Sequence, residues 1–254
     1  MQNPSMHEKT ARVARFHTEA ALRAGGVSLL PEDAAHHAVH VLRLRLGDEV
    51  VLFNGRGGEY AGRIAAMDRL RVTVDVLQHL PLERESPLAV TLVQGVSAGE
   101  KMDFTVQKAT ELGVAALQPV LGARSTGRIS GERAELKRAH WRRVAIAACE
   151  QCGRNRIPEV LPVLALAEYC RVPTAGGMRL LLSPPAQLGL REAAARLDGA
   201  ATLASGPEAG FIAEEEAMLV EAGFVPVRLG PRVLRTETAA IAALAALNAL
   251  AGDF

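Results

Sequence analysis

Two arginines, two threonines and a glutamate stand close together in the run Leu229-Gly-Pro-Arg-Val-Leu-Arg-Thr-Glu-Thr238. The strand-like apolar segment Phe224–Leu229 leads into this run, and an almost wholly apolar helical stretch, Ala239–Ala251, follows it. Arginine can bind an anionic or carbonyl oxygen, and glutamate can accept a proton. Because polar groups enclosed by apolar segments need partners, the run is a candidate binding or catalytic site.

A second candidate is the glycine-rich loop Ser205-Gly-Pro-Glu-Ala-Gly210. It lacks the G-x-G-x-x-G spacing of a dinucleotide site. The next helical stretch opens with Glu214-Glu-Glu216, whose charges would oppose a phosphate at a helix N-terminus. The loop therefore favours a cofactor without phosphate at this position, and a plain strand-to-helix turn is the alternative.

Cysteine and histidine give weaker signals. The pair Cys149-x-x-Cys152 falls late in a predicted helix, has no second pair to complete a zinc site, and leaves Cys170 alone. We interpret these thiols as packing residues. His36 and His40 have helical spacing for a metal, but no carboxylate or cysteine completes the set, so with His37 they are expected at the surface or facing RNA. No metal is predicted.

The net charge of +1 conceals a strongly basic segment. Residues 123–156 contain nine basic and three acidic residues, including Arg128, whereas residues 161–254 contain seven basic and ten acidic ones. Such an excess suits a polyanion, and the alternative is a solvated helix face. Helical spacing also places two sets of oppositely charged residues on one face of a predicted helix each. The first set is Lys101, Lys108 and Glu111, and the second is Arg143, Glu150 and Arg154.

The elements that must position these residues fall into two regions. Residues 13–80 show short alternating strands and a helical stripe of Ala35, Val39 and Leu42, which predicts a small barrel. Residues 81–87 are predicted to be a linker. Residues 88–254 alternate apolar strands with helices, which predicts an α/β domain with a mostly parallel sheet. The predicted strands of this domain are 88–93, 115–120, 179–183, 201–205 and 225–229, and residues 1–12 are expected to be disordered.

Composition limits the class of protein. The chain has 254 residues, of which 49% are hydrophobic and only 4% aromatic, so its core must consist mainly of Ala, Leu and Val. No apolar run approaches the roughly 20 residues of a membrane span, and residues 1–10 lack a signal-peptide core. Three cysteines argue against a secreted disulfide scaffold. We expect a soluble cytoplasmic protein.

Four ordered blocks resemble the bacterial 16S ribosomal RNA uridine-N3 methyltransferases, which belong to the SPOUT class. The blocks are Gly99–Gly113, Ile146–Pro158, Gly206–Gly210 and Leu229–Thr238, and the resemblance runs from about Val13 to Phe254. It implies a C-terminal trefoil-knotted SPOUT domain and a small N-terminal PUA-like β-barrel that binds RNA. It also implies a homodimer whose methyl-donor site lies near the subunit interface, with the apolar stretch Ala239–Ala251 buried in the knot or the dimer.

The resemblance implies S-adenosylmethionine as the cofactor, bound mostly through backbone groups. The matching positions are Leu181, Leu182, Ser183, Gly206, Pro207, Gly210, Leu229, Gly230, Val233, Leu234, Thr236 and Thr238. The family loop usually has glycine where this chain has Ala209. If that position requires a positive φ, alanine there costs on the order of 1 kcal/mol.

The implied reaction is methyl transfer to the N3 nitrogen of a uridine in 16S ribosomal RNA or the assembled small subunit. Arg235 is expected to stabilise the developing anion, with Glu237 or Glu208 accepting the proton or orienting Arg235, although Arg232 could exchange roles with Arg235. The expected RNA contacts are Arg15, Arg43, Arg45, Lys101, Lys108, Arg124, Arg142, Arg143, Arg154 and Arg156. A transfer RNA methyltransferase of the same fold and a non-catalytic RNA-binding protein are the alternatives.

Overall fold

The computed structural model describes residues 13–68, 71–125, 129–173 and 176–254. The predictions made for residues 1–12 and for Arg128 lie outside these residues. The chain divides into two compact units, Met1–Glu83 and Arg84–Phe254. The sequence predicts the boundary between the two domains at residues 81–87, which include the observed boundary at residues 83 and 84.

The first unit is built on one sheet. Its strands, within the part that the structure describes, are β1 Ala14–His17, β2 Val27–Leu29, β3 Glu49–Phe53, β4 Glu59–Met67 and β5 Val72–Leu80, in the order β1-β3-β4-β5-β2. The β1–β3 pair is parallel and the other pairs are antiparallel. Two register shifts between β4 and β5 bend the sheet, because a bulged residue increases the local twist. The core of this unit includes Phe16, Leu52, Ile64 and Val74.

The helical segment of this unit begins as α1, Glu32–His36, and continues as a π-helical turn, His37–Val41. The predicted stripe of Ala35, Val39 and Leu42 is only partly correct. Ala35 is fully buried and Val39 is half-buried, but Leu42 is 42% exposed. The wider π turn rotates the later residues, so Ala38 takes the buried position instead.

The second unit contains a parallel sheet, as the alternating apolar segments predict. Its strands are β6 Ala89–Gly95, β7 Ala116–Leu121, β8 Glu159–Val160, β9 Leu164–Ala165, β10 Met178–Leu182, β11 Ala200–Ser205 and β12 Val225–Val227. The order is β12-β10-β11-β6-β7-β8, with β9 also paired to β7, and every described pair is parallel. Consequently, the carboxyl ends of β10, β11 and β12 meet at one edge of the sheet.

Six described helices pack around this sheet, and they are α2 Glu100–Glu111, α3 Glu132–Cys152, α4 Leu166–Tyr169, α5 Leu190–Ala194, α6 Ala213–Glu221 and α7 Thr236–Ala251. Helix α7 packs against α2, α5, β6 and β11. Ala240, Ala243, Leu244 and Leu247 of α7 are buried in the main core, which explains why this stretch is almost wholly apolar. No helix among the described residues is long and apolar enough to cross a membrane.

After Glu83, the predicted linker is held by hydrogen bonds to residues of the second unit. Arg84 donates from Nη1 to the carbonyl of Gly153 at 3.0 Å, and the hydroxyl of Ser86 donates to Oδ1 of Asn248 at 2.9 Å. Asn248 in turn donates to the carbonyl of Leu112 at 2.6 Å. Residues 84–87 therefore form part of the second unit.

Arg154 completes the attachment of this segment, and the structure contradicts its predicted role in RNA binding. Only 4% of its side chain is exposed, and its Nη2 lies 2.5 Å from Oε2 of Glu85. Its Nη1 also donates to the carbonyl of Thr110 at 2.8 Å. Burial alone would lower the pKa of Arg154, but the hydrogen bond and the charge of Glu85 raise it above its ordinary value. Because Arg154 follows the end of α3, it also does not continue the predicted helical line of Arg143 and Glu150.

Candidate active site

A cavity of about 280 Å³ opens where β10, β11 and β12 end. The carboxyl edge of a parallel sheet is the usual place for a ligand in such folds. Its lining comprises Leu182, Ser183, Pro184, Ser205, Gly206, Pro207, Glu208, Ala209, Gly210, Val227, Arg228, Leu229, Gly230, Arg232, Val233, Leu234, Thr236 and Ala239. Thus ten of the twelve residues predicted to bind a cofactor line this one cavity.

The remaining two predicted cofactor residues have other environments. Leu181 is fully buried in a core cluster with Val93, Ala204 and Leu219. Thr238 is exposed in the first turn of α7 and does not line the cavity. Leu181 therefore supports the strand that reaches the cavity and does not face the cavity itself.

The wall formed by Gly206–Gly210 is braced by a buried side chain that the sequence analysis did not identify. Gln94, at 1% exposure, donates from Nε2 to the carbonyls of Gly95 and Gly206 at 3.0 and 3.1 Å and to Oγ1 of Thr236 at 3.1 Å. The hydroxyl of Thr236 also donates to the carbonyl of Gly206. The side-chain amide of Gln94 thus connects β6, the Gly206–Gly210 loop (the cofactor loop) and the start of α7. A polar residue inside an otherwise apolar strand was the available signal.

Gly95 allows the end of β6 to touch this wall. A Cβ added at Gly95 would lie 2.4 Å from the backbone nitrogen of Pro207, which is far inside a normal contact. Any side chain at this position would push the loop away from β6. The glycine is therefore required by close packing of two backbone segments.

Ala209 causes no backbone strain. Among the described residues other than glycine, only Arg43 has a positive φ, so Ala209 does not occupy the left-handed region. Gly210 carries the positive φ of the loop, at +70°. The conditional cost predicted for alanine does not arise. The carbonyl of Ala209 instead accepts a hydrogen bond from Nη1 of Arg124 at 3.0 Å.

Glu208 joins the same loop to the start of α2. Its Oε1 accepts a hydrogen bond from the N–H of Ala98 at 2.9 Å and lies 3.6 Å from Nζ of Lys101. Partial burial would raise the pKa of Glu208, but the hydrogen bonds from Ala98 and Ser97 and the charge of Lys101 lower it below the ordinary value. Glu208 is therefore ionised at neutral pH and is a weak proton acceptor.

The opposite wall, Leu229–Arg235, is much less constrained. The backbone N–H groups of Leu229, Gly230 and Val233 form no hydrogen bond with another described residue. Val233 is 79% exposed although it is apolar. These unused donors beside a cavity suit a ligand that is recognised by backbone groups, because exposed donors can be satisfied by the ligand as well as by water.

The two predicted catalytic residues on α7 lie just beyond the lining. Arg235 precedes α7 and is exposed, and its side chain makes no hydrogen bond or ion pair with a described residue. Glu237 lies in the first turn of α7, and its Oε2 atom is buried without a partner among the described residues. Arg232, the predicted alternative to Arg235, lines the cavity.

Arg15, which was predicted to contact RNA, is buried within the first unit. Its Nη1 lies 2.6 Å from Oε2 of Glu59, and only 7% of its side chain is exposed. The guanidinium also stacks against Phe53 at 5.1 Å. This prediction is contradicted because an internal carboxylate already neutralises the charge.

The other predicted RNA contacts remain accessible to different degrees. Arg43, Arg45, Arg124, Arg142, Arg143 and Arg156 are exposed, and Lys101 and Lys108 are half-buried. Lys108 forms an ion pair with Glu111 at 2.8 Å, as their predicted alignment on α2 implies, whereas the third member of that set, Lys101, lies 3.6 Å from Glu208. Cys149 is buried in α3, and Cys152 and Cys170 are half-buried free thiols. The rings of His36 and His40 lie 4.6 Å apart at the surface.

Comparison with known families matches both units. Residues 84–248 match a family described as the RNA methyltransferase domain, and residues 30–77 match one described as the RNA methyltransferase PUA domain. Over 242 residues the chain is 31% identical to ribosomal RNA small subunit methyltransferase E from Buchnera aphidicola, covering 95% of this chain and 98% of that protein.

Two solved structures are similar over nearly the whole length. Ribosomal RNA small subunit methyltransferase E from Neisseria gonorrhoeae, bound to S-adenosylmethionine, has a TM-score of 0.90 and 39% identity, and the match covers 95% of this chain and 99% of that one. A methyltransferase from Legionella pneumophila, also with bound S-adenosylmethionine, has a TM-score of 0.89 and 36% identity, with 96% and 100% covered.

Proposed function

Because the chain belongs to the RNA methyltransferase family that these relatives represent, we propose that it methylates N3 of a uridine in 16S ribosomal RNA, with S-adenosylmethionine as the methyl donor. The fold is the one common to the family, with an N-terminal PUA-like unit and a C-terminal SPOUT methyltransferase unit. The expected place of action is the cytoplasm.

The single observation that carries this proposal is the cavity at the carboxyl ends of β10–β12. It combines one braced wall with a second wall in which the N–H groups of Leu229, Gly230 and Val233 have no partner among the described residues. Such donors suit the ring nitrogens and carboxylate of a ligand that contains a nucleoside and an amino acid. The acidic start of α6, Glu214–Glu216, disfavours a ligand with phosphate groups nearby.

When bound, S-adenosylmethionine supplies an electrophilic methyl group on a sulfonium. The residues proposed to hold it are those of the cavity lining in Leu182–Ser183, Gly206–Gly210 and Leu229–Thr236. Backbone donors in Leu229–Arg235 bind and orient it, and the apolar parts of Leu182 and Leu234 exclude water. Alignment of the reacting groups contributes much of the rate in such transfers.

Proton removal from N3 requires an anion stabiliser and a base. We assign the first role to Arg235, because its guanidinium is exposed beside the cavity, carries a permanent charge and makes no competing bond with a described residue. Glu237 is the better candidate for the proton acceptor at its Oε2, which is buried and forms no hydrogen bond with a residue that the structure describes. Glu208 suits a bracing role better, since its carboxylate is already bound to Ala98 and its pKa is low.

The RNA is proposed to approach over exposed basic side chains. Arg142 and Arg143 on α3, with Arg124 beside the cofactor loop, supply positive charge that can contact phosphates. A base in folded RNA must leave its stack to reach a cavity of this kind. We also propose a homodimer, because Val233 exposes 79% of an apolar side chain at the cavity rim.

The direct test is methyl transfer from labelled S-adenosylmethionine to 16S ribosomal RNA and to small subunits that lack the modification. Nuclease digestion and mass spectrometry then identify the labelled nucleoside. N3-methyluridine is the expected product. Another methylated nucleoside, or transfer to transfer RNA only, would contradict the proposed substrate while leaving the cofactor assignment intact. Failure to bind S-adenosylmethionine would contradict the activity itself.

A further inference from the structure

Three hydroxyl side chains belong to the cavity lining, and they are those of Ser183, Ser205 and Thr236. The hydroxyl of Thr236 is used inside the protein, because it donates to the carbonyl of Gly206 and accepts from Gln94. The hydroxyl of Ser205 forms no hydrogen bond with a described residue, so it can turn either to donate or to accept. Ser183 differs from both, since its single proton is given to a carboxylate on α6.

The surroundings of Ser183 fix it at the end of β10. Its N–H donates to the carbonyl of Val227 at 3.0 Å, and its carbonyl accepts the N–H of Ala186 at 3.1 Å. Only 3% of the residue is exposed, and its Oγ donates to Oε2 of Glu216 at 3.0 Å. A serine hydroxyl has one proton and two lone pairs, whereas an ionised carboxylate can only accept. Ser183 is therefore left as a hydrogen-bond acceptor for a ligand in the cavity.

The three consecutive glutamates at the start of α6 have different environments. Glu214 is exposed and forms no hydrogen bond or ion pair with a described residue. Glu215 is buried, and its carboxylate accepts the N–H of Ala123 at 2.6 Å, which joins α6 to the segment after β7. Glu216 bonds instead to a residue of the cavity, and no arginine or lysine that the structure describes pairs with it. Its charge is consequently available to polarise the Ser183 hydroxyl.

An acceptor of this kind selects a donor group on the ligand. The neutral donors of S-adenosylmethionine all lie in its nucleoside part, and they are the two ribose hydroxyls and the 6-amino group of adenine. We propose that Ser183 and Glu216 form a dyad that recognises one neutral O–H or N–H donor of the cofactor nucleoside. Ser183 accepts the hydrogen bond, and Glu216 is the positioning residue that holds the hydroxyl proton away from the ligand. This inference rests on the part of the proposed function that concerns the cofactor, and it does not depend on which RNA base is methylated.

The test measures, by calorimetry, the Kd of S-adenosylhomocysteine, which is the demethylated form of the cofactor, and of three analogues. Each analogue lacks one donor, which is the ribose 2′-hydroxyl, the ribose 3′-hydroxyl or the 6-amino group. Ser183→Ala should weaken the binding of S-adenosylhomocysteine about 3- to 12-fold, the usual effect of one hydrogen bond. In this variant the analogue that lacks the recognised donor should lose no further affinity, while the other two analogues should lose as much as they do with the unaltered protein. The identity of that analogue shows whether ribose or adenine supplies the donor.

The positioning role is tested at Glu216. In Glu216→Ala the Ser183 hydroxyl is free to turn its proton towards the cavity, so the variant should discriminate less against the same analogue than the unaltered protein does. Glu216→Gln keeps a side-chain carbonyl that can accept the proton, and it should restore most of the discrimination. Glu214→Ala, at the exposed position two residues earlier, is the matched control and should leave every affinity unchanged. A merely structural role would instead lower the Tm and weaken all four ligands by the same factor.

The inference is overturned if Ser183→Ala keeps the affinity losses of all three analogues, or if Glu214→Ala alters them as much as Glu216→Ala does. It is also overturned if 5′-methylthioadenosine, which lacks the amino-acid part, binds Ser183→Ala and the unaltered protein equally well, because the donor would then be the ammonium group. If the analogue series behaves as expected but the unaltered protein forms no N3-methyluridine in ribosomal RNA, the dyad is supported and the proposed reaction is contradicted.

Discussion

The Gly206–Gly210 wall and the Leu229–Arg235 wall face the same cavity but are held in different ways. Gln94, Thr236, Ala98 and Arg124 all bond to the first wall. In the second wall, several N–H groups have no partner among the described residues, and Arg235 is exposed. The braced wall is held by internal hydrogen bonds, whereas we propose that the backbone donors of the open wall bind the cofactor. We therefore expect displacement of the braced wall to alter cofactor affinity, and loss of the Arg235 side chain to alter turnover.

The largest effect is expected from Arg235→Ala. Loss of a group that stabilises charge in the transition state should lower kcat on the order of 100- to 1000-fold. The Kd for S-adenosylmethionine, measured by calorimetry, should stay nearly constant because Arg235 is not among the residues that line the cavity. Arg232→Ala provides the comparison, and a larger kcat loss there would transfer the role to Arg232. Unchanged turnover in Arg235→Ala would contradict the division between the walls.

Gly95→Ala should have the next largest effect, on cofactor affinity. The new Cβ would lie 2.4 Å from the nitrogen of Pro207, so the braced wall must move. Overpacking of this kind costs roughly 1–3 kcal/mol, which corresponds to a Kd about 5- to 150-fold weaker if the cost falls on the bound state. Gly189→Ala is the matched control, since its φ is −80° and a Cβ there meets nothing within 4 Å. Equal affinity in both variants would show that the loop is not braced.

Glu208→Gln should have the smallest effect, a decrease in the free energy of unfolding that depends on pH. The folded-state pKa of Glu208 is lowered, so its ionised form stabilises the protein above the ordinary glutamate pKa of 4.5, and this contribution is lost as pH falls through the lower folded value. The variant should be less stable at neutral pH by at most about 1 kcal/mol, because the ion pair is partly exposed. The difference should disappear in acid.

Urea unfolding across this pH range would measure the effect, with Glu214→Gln, at an exposed position on α6, as the control. A difference that grows towards acid would contradict the assigned sign. The kcat of Glu208→Gln at saturating cofactor should remain close to that of the unaltered protein. A kcat loss as large as that of Arg235→Ala would instead identify Glu208 as the proton acceptor.

Local patterns in the sequence predicted most of the elements. The predicted strand 201–205 corresponds to β11, Ala200–Ser205, and the predicted strand 115–120 corresponds to β7, Ala116–Leu121. The loops at the carboxyl ends of strands were placed correctly because apolar strands and glycine-rich turns alternate along the chain. These features depend on neighbouring residues only, so spacing and composition are sufficient to predict them.

The errors concern contacts between distant residues. Arg15 and Arg154 have the same side chain as Arg142, but Glu59 and Glu85 neutralise them from 44 and 69 residues away. Gln94 was missed for the same reason, since Thr236 lies 142 residues further along the chain. The positive φ of Arg43 depends on a π turn that adds one residue to the helical segment. Local periodicity does not distinguish buried Arg15 and Arg154 from exposed Arg142, and at Gln94 it marks a polar residue in an apolar strand but not its distant partner.

The late position of Leu229–Thr236 has a consequence for biosynthesis. Strand β6 pairs with β11, which lies more than 100 residues later in the chain. The open wall follows the last described strand of the sheet, β12. A growing polypeptide can therefore assemble the first unit and several parallel strands while the cofactor cavity is still missing one side. Long-range pairings of this kind are slow to form. Because Leu229–Thr236 supplies one wall of the cavity, we expect a nascent chain that stops before Leu229 to lack a complete cofactor site.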